Sequence, residues 1–127
     1  DAMDALTPQL AEWSRMVRNG IEGGRTQFPT AAGRVIHLPK LAPHAGPNFC
    51  IQGTARELLV DALLRWRQTR WGNAVLLPVH DEIVVMVPED EAEAATAALV
   101  ECMTADLAGV PIVAEASEPS FEWKDSA

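Results

Sequence analysis

The residues of this chain best suited to chemistry form the segment V-H-D-E at 79–82, between the apolar runs 74–78 and 83–87. Two short strands joined tightly at the acidic pair would hold both carboxylates at a hairpin tip, where water and a cation can reach them. Hard divalent cations prefer such oxygen ligands. The pattern therefore predicts a metal site at Asp81 and Glu82, although aspartate is also favoured in turns for purely local hydrogen bonding.

A second segment, N-F-C-I-Q-G-T-A at 48–55, leads directly into a helical pattern. Apolar residues follow at the spacing of one helix face, and Gly72 is well placed to end the helix, which is therefore predicted at about 49–71. Asn48 and Gln52 lie at its start, where their side-chain amides can donate hydrogen bonds.

The remaining elements follow from periodicity. Apolar residues recur every three or four positions near the start and predict an amphipathic helix at about 5–20. The stretch 25–39 holds short β-prone segments punctuated by proline and glycine, which predicts a loose hairpin. Acidic residues open an alanine-rich helical pattern at about 90–107, where they complement the helix dipole. A last strand is predicted at 111–118.

This order of elements predicts an α+β fold. An antiparallel sheet, with a strand-turn-strand hairpin at 74–87, would pack on the three helices. Pro78 lies within the first strand of that hairpin. Because proline cannot donate to a sheet ladder, this strand must lie at an edge or direct its missing donor elsewhere.

Composition and charge bound the function. With 127 residues and 48% hydrophobic content, the chain can form one domain or one piece of a larger one. The net charge of -8 is unevenly spread: residues 1–72 carry nine Lys or Arg against six acidic residues, and residues 73–127 carry one against twelve. The first part could attract phosphates, whereas the second should face solvent, metal or protein. Ordinary solvated surface charge explains the same pattern equally well.

Cysteine content and hydropathy indicate the compartment. Cys50 and Cys102 lie in apolar helical surroundings and are predicted to be buried thiols in a reducing environment. The chain shows no signal-peptide pattern and no apolar run of the roughly 18 residues needed to span a bilayer. These features predict a cytoplasmic protein without membrane contact.

Taken in order, N-x-x-I-Q-G-T-A and V-H-D-E resemble the C-terminal palm segment of family A DNA polymerases, the bacterial DNA polymerase I type. The block Gly33-Arg34 followed by Leu38-Pro39 is similar to the hairpin that precedes the Q-G-T-A helix in that family. The ending F-E-W at 121–123 is similar to its acidic-tryptophan ending. The resemblance implies that 1–127 is the C-terminal part of a palm, with a fingers-proximal helix and hairpin at 5–39.

The resemblance also implies roles at the acidic turn. Asp81 corresponds to a palm aspartate that binds the two catalytic Mg²⁺ ions, for which Mn²⁺ can substitute, and Glu82 beside it is a secondary carboxylate. His80 would lie near the primer terminus and contact DNA, although a hydrogen-bonded structural histidine is the alternative. Such a pair of ions stabilises both ends of an in-line phosphoryl displacement.

DNA contacts are implied for the helix start and the first hairpin. Asn48 and Gln52 would donate to minor-groove acceptors, which occur at similar places in every base pair and so permit a check of pair geometry without reading sequence. Gly53 would let the backbone approach DNA, or is only a glycine near a helix N-terminus. Arg34 is a candidate phosphate contact, although arginines in hairpins are commonly just solvent-exposed.

The chain also departs from the family pattern. Val35, Ile36 and His37 replace the basic cluster that commonly follows Gly-Arg, and the connection to Asn48 is short. The second metal-binding aspartate and the fingers helix that holds the triphosphate have no match. The predicted partners are therefore primer-template DNA, deoxynucleoside triphosphates and the remaining polymerase segments, in the same chain or another. Acting alone, the chain is not expected to polymerise DNA.

Two other functions remain open from the sequence. One is a noncatalytic α+β protein-interaction module whose acidic hairpin is only structural. The other is a metal phosphohydrolase of the His-Asp type, which would need further histidine ligands on helices. His37 and His44 lie in a predicted strand and a loop, so the pattern disfavours this class.

Overall fold

The computed structural model of this chain describes residues 6–38 and 42–122. It comprises two compact units, Asp1–Ala55 and Arg56–Ala127. Pro39 and Trp123, which contribute to the first hairpin block and the F-E-W ending, lie outside the described residues. In the described parts of the chain, no helix combines the length and the apolarity that a membrane crossing needs.

The first unit consists of a helix, a hairpin and the start of a second helix. Helix α1 (Pro8–Glu22) opens on a proline, whose missing N–H is not needed in a first turn. Strands β1 (Gln27–Pro29) and β2 (Val35–His37) pair antiparallel. A short 3₁₀ turn, Pro43–Ala45, precedes helix α2 (Gly46–Arg67), which continues into the second unit.

A small apolar core holds the first unit together. Its buried members come from α1, β1, the end of the hairpin and α2, and they are Val17, Phe28, Leu38 and Cys50. Burial raises the pKa of the Cys50 thiol, and the nearby Arg25 guanidinium partly opposes that shift. The thiol is therefore protonated at neutral pH, as expected for a buried structural cysteine.

The second unit adds two hairpins and a helix to the end of α2. Strands β3 (Val75–Val79) and β4 (Glu82–Val85) pair antiparallel, which confirms the hairpin predicted at 74–87. Pro78 pairs with Ile83 in this two-stranded sheet. Both strands are edges of that sheet, so the missing proline donor is accommodated as predicted. Helix α3 (Ala92–Met103) follows a 3₁₀ turn.

The predicted extension of the third helix to residue 107 is wrong. Thr104 is extended, with ψ of 130°, and β5 (Ala105–Leu107) pairs with β6 (Val110–Ile112). Ala108 and Gly109 both have positive φ, 52° and 85°, the pattern of a type I′ hairpin turn. A local hairpin therefore replaces the last helical turn, and the strand predicted at 111–118 is limited to the β6 residues.

The other helices are shifted from their predicted bounds. The helix predicted at 5–20 is α1, and the one predicted at 49–71 is α2, which begins a turn earlier and ends at Arg67. Beyond this end the Thr69 N–H and hydroxyl both donate to the Trp66 carbonyl oxygen, at 2.9 and 2.8 Å. Tighter i→i+3 bonding thus ends the helix before Gly72.

The α+β class is confirmed, but in the described residues the strands do not form the single antiparallel sheet that the sequence predicts. In the described residues they form three two-stranded antiparallel sheets, β1–β2, β3–β4 and β5–β6. The core of the second unit centres on Trp66, which is 0% exposed, with Ala95 and Cys102 from α3. Trp71 stacks on Trp66 with ring centroids 6.0 Å apart. Strands β3 and β4 pack on this core through Val75 and Val85.

Candidate functional site

The β3–β4 turn presents the predicted acidic residues to solvent. Val79 pairs with Glu82, so the loop consists of His80 and Asp81 alone. All three polar side chains of this tip are exposed. Ile83, the next residue of β4, is buried and anchors the turn to the unit below it. The structure therefore places Asp81 at a short hairpin tip, as the two flanking apolar runs predict.

The backbone of His80 has an uncommon conformation for a side chain of its size. Its φ is 52°, whereas Asp81 does not have a positive φ. A positive φ at only the first loop residue is the pattern of type II′ turns, in which glycine is the usual residue. A bulky side chain there costs about 1 kcal/mol or more.

The donor set of the tip partly fits a magnesium ion. Asp81 and Glu82 supply adjacent carboxylates of the hard-oxygen type that Mg²⁺ prefers. Within residues 6–38 and 42–122, no group of three or more His, Cys, Asp or Glu side chains is arranged to hold a metal. Since Mg²⁺ takes about six ligands and retains several waters, the tip can hold an ion only together with water, substrate oxygens or other protein groups.

The two amide side chains predicted at the helix start lie in the first unit. Asn48 and Gln52 are both exposed, and their i, i+4 spacing in α2 places them on one face. Between them, Cys50 is buried in the opposite face. The exposed amides can therefore donate hydrogen bonds to an external acceptor without disturbing the core.

Gly53 lies where α2 meets the β1–β2 hairpin. A Cβ atom at this position would lie 3.3 Å from Thr30 Cγ2 and 3.4 Å from Ile36 Cγ2. The missing side chain thus lets the β1–β2 hairpin approach α2 closely. Within the first unit, the glycine of Q-G-T-A serves packing between helix and hairpin.

Arg34 lies at the end of the β1–β2 loop and is exposed. The loop is closed by its own hydrogen bonds: the Thr30 N–H donates to the Arg34 carbonyl at 2.8 Å, and the Arg34 N–H donates to Thr30 Oγ1 at 3.1 Å. Thr54 of α2 also binds this loop through its hydroxyl. The contacts of Thr30 and Thr54 were not predicted from the sequence. The position of Thr54 within the Q-G-T-A motif was the one sequence feature that could have indicated its role.

The structure thus groups the predicted residues into two sets. His80, Asp81 and Glu82 share the hairpin tip of the second unit, and the other three predicted DNA-contact residues, Asn48, Gln52 and Arg34, lie in the first unit. His37 and His44 are exposed and belong to no metal-ligand group among the described residues. The structure offers no support for a His-Asp phosphohydrolase site in those parts of the chain.

Comparison with known proteins gives a consistent family match. The model of the family described as DNA polymerase family A matches residues 8–125. The thermostable DNA polymerase I of Thermus filiformis is 40% identical over 83 residues, which are 64% of this chain and 10% of that protein. The DNA polymerase of Mycobacterium phage L5 is 27% identical over 124 residues, 97% of this chain and 20% of that protein.

A plant organellar protein shows the same likeness. The mitochondrial DNA polymerase I B of Oryza sativa subsp. japonica is 33% identical over 122 residues, covering 83% of this chain and 11% of that protein. The chain therefore spans only 10% to 20% of the length of these three relatives. No solved structure matches the chain.

Proposed function

Because the chain belongs to DNA polymerase family A, we propose that it is the palm segment of a DNA-directed DNA polymerase that contributes a catalytic metal-binding aspartate. The observation that carries this proposal is the position of Asp81, exposed on a two-residue turn next to Glu82. The order of the Q-G-T-A helix and the V-H-D-E hairpin along the chain supports it. The short span relative to its relatives makes the complete activity depend on further polymerase segments.

In this function the hairpin tip holds the ions and the primer end. Asp81 and Glu82 would bind divalent ions, Mg²⁺ or Mn²⁺, through their carboxylate oxygens. When bound, two such ions stabilise the charge on the attacking 3′-oxygen and on the leaving pyrophosphate. His80, on the same turn, would contact the primer terminus. Exposure of all three side chains leaves the tip accessible to DNA.

The first unit would contact the duplex. Asn48 and Gln52 can donate to purine N3 and pyrimidine O2 in the minor groove, which tests the geometry of a base pair and not its sequence. Arg34 would contact a backbone phosphate, where a guanidinium adds affinity that weakens with salt. These roles suit an enzyme that must copy any template. Its substrates would be primer-template DNA and deoxynucleoside triphosphates, in the cytoplasm where DNA is copied.

A reconstitution experiment tests this proposal. The complete polymerase that contains this chain, whether as one chain or as an assembly, is expected to extend a primer when Mg²⁺ is added and to stop when the ion is chelated. Primer extension is followed on a denaturing gel, with a matched reaction lacking this chain as control. Extension that needs neither the ion nor this chain would refute the proposal.

A noncatalytic interaction module is the alternative, and one observation favours it. Large apolar side chains of the second unit are well exposed, among them Leu64, Met86 and Val113 at 61%, 70% and 72%. Exposed apolar side chains of this size are typical of interaction sites. A module would show no change on addition of Mg²⁺ and primer-template DNA when those segments are present.

Replacement of His80 separates turn formation from function. His80→Gly should keep or slightly raise thermal stability, because glycine adopts a positive φ without steric cost. The same change should slow single-turnover extension about fivefold to tenfold, since a contact to the primer terminus is worth about 1 kcal/mol. His80→Asn, which also tolerates this backbone region, is the control that keeps a polar side chain. Wild-type extension by His80→Gly would show that the imidazole has no functional role.

A further inference from the structure

A threonine hydroxyl joins the helix that carries the two amides to the β1–β2 loop. Within α2, Thr54 Oγ1 donates to the Cys50 carbonyl oxygen at 3.0 Å. Thr54 Oγ1 also accepts a hydrogen bond from the N–H of Ala31 at 3.1 Å. The hydroxyl thus uses its donor and an acceptor lone pair together. It connects two segments that are 23 residues apart in the chain.

The contact around this hydroxyl is close. Thr30 Cγ2 and Ile36 Cγ2 lie where a side chain at Gly53 would project, 3.3 and 3.4 Å from its Cβ position. Thr30 itself is buried. The loop is therefore held against α2 both by packing at Gly53 and by the hydrogen bond at Thr54. The hydrogen bond at Thr54 also fixes the orientation of the loop on α2, because hydrogen bonds are directional and apolar packing is not.

The hairpin supports α2 from the side opposite the amides. Successive residues of an α-helix are rotated by about 100°, so Thr54 is about 200° around the helix from Gln52. Asn48 lies one turn before Gln52, on the same face. The exposure of both amides and the burial of Cys50 agree with an exposed amide face and an opposite face that packs on the rest of the unit. Rotation or displacement of the helix start on the hairpin would move both amides together.

We propose that Thr54 is a positioning residue that fixes the orientation of Asn48 and Gln52 toward the minor groove by anchoring α2 to the β1–β2 loop. This inference depends on the proposed polymerase function. A polar constellation works only when its supporting groups hold it within about 0.5 Å of the productive position. In this role Thr54 acts through Asn48 and Gln52.

Two variants of Thr54 separate the hydroxyl from the shape of the side chain. Thr54→Val keeps the branched shape and removes both hydrogen bonds, whereas Thr54→Ser keeps the hydroxyl. In the complete polymerase, Thr54→Val is expected to weaken primer-template binding about fivefold, the effect of about one hydrogen bond. Thr54→Ser should restore affinity to near the wild-type value. Binding is measured by fluorescence anisotropy with a labelled primer-template.

Ala31→Pro removes the hydrogen bond from the Ala31 N–H to Thr54 Oγ1 by a change in the loop and not in the helix. The Gly33 N–H donates to the Thr30 carbonyl at 3.0 Å, which places Ala31 at the second position of a turn. Proline is favoured at that position and lacks the N–H. This variant leaves α2 unchanged, so it tests the anchor even if Thr54→Val does not fold. We expect the same loss of affinity, about fivefold.

A mutant cycle with the double variant Asn48→Ala, Gln52→Ala distinguishes positioning from general stability. If Thr54 acts through these two amides, the penalty of Thr54→Val or Ala31→Pro should largely disappear in the double-variant background. Additive penalties, or unchanged affinity in both anchor variants, would overturn the positioning role while leaving the polymerase function intact. Failure of the wild-type polymerase to extend a primer would instead overturn the proposed function, and the positioning role with it.

Discussion

Asp81→Asn is expected to reduce single-turnover primer extension by about 10³-fold, the loss of about 4 kcal/mol of transition-state stabilisation. The amide keeps the size of the side chain and the polar turn but removes the charge that would hold a divalent ion. Because Asp81 is exposed at the hairpin tip, the fold should be unaffected. Rapid-quench measurement at saturating DNA and nucleotide reports the chemical step.

DNA binding by the same variant provides the internal control. Removing a negative charge close to the phosphate backbone should leave primer-template affinity unchanged or slightly higher when no divalent ion is present. Glu82→Gln is the matched neighbour and should have a smaller effect on extension, about tenfold, in keeping with a secondary carboxylate. Extension by Asp81→Asn within threefold of wild type, with DNA bound normally, would remove Asp81 from the reaction.

Trp66→Ala should give the largest loss of folding stability in the second unit, about 3–5 kcal/mol. The side chain is 0% exposed, stacks on Trp71 and forms one buried core with Ala95 and Cys102 of α3, and both strands of the β3–β4 hairpin pack against this core. The expected loss is a large part of the about 5–15 kcal/mol by which typical domains are stable. Urea unfolding monitored by circular dichroism would measure it.

Trp66→Phe is the control for this change. Among the described residues the Trp66 indole N–H has no hydrogen-bond partner, so phenylalanine loses ring area without orphaning an acceptor. Its cost should therefore be well below that of alanine, at about 1–2 kcal/mol. Equal unfolding midpoints for the alanine variant and the wild type would show that this tryptophan does not support the hairpin.

The acidic hairpin could be predicted because its signals are local. Two apolar runs flank a short polar segment, which predicts a tight turn there, and the structure forms that turn with His80 and Asp81 between Val79 and Glu82. The end of the third helix could not be predicted in the same way. Ala105–Leu107 continues an apolar pattern that also fits a helix, and pairing across the Ala108-Gly109 turn decides in favour of a strand.

The candidate residues could be identified from sequence motifs. The contacts that hold them in place join segments far apart in the sequence and could not be predicted in this way. Gly53 and Thr54 bind the β1–β2 loop through atoms of Thr30 and Ala31, more than 20 residues earlier. No periodicity reports such a contact. The positive φ of His80 could not be predicted from the sequence either, because a histidine in a two-residue loop does not indicate which backbone region it adopts.

Paramagnetic broadening by Mn²⁺ tests the central claim most directly, because it locates the ion without depending on catalysis. Mn²⁺ is titrated into the complete polymerase bound to primer-template DNA, with this chain isotopically labelled. The amide signals of His80, Asp81 and Glu82 should broaden first, and Asp81→Asn should abolish that effect. Signals at the tip that stay sharp while others broaden, or equal broadening in Asp81→Asn, would show that the ion binds elsewhere.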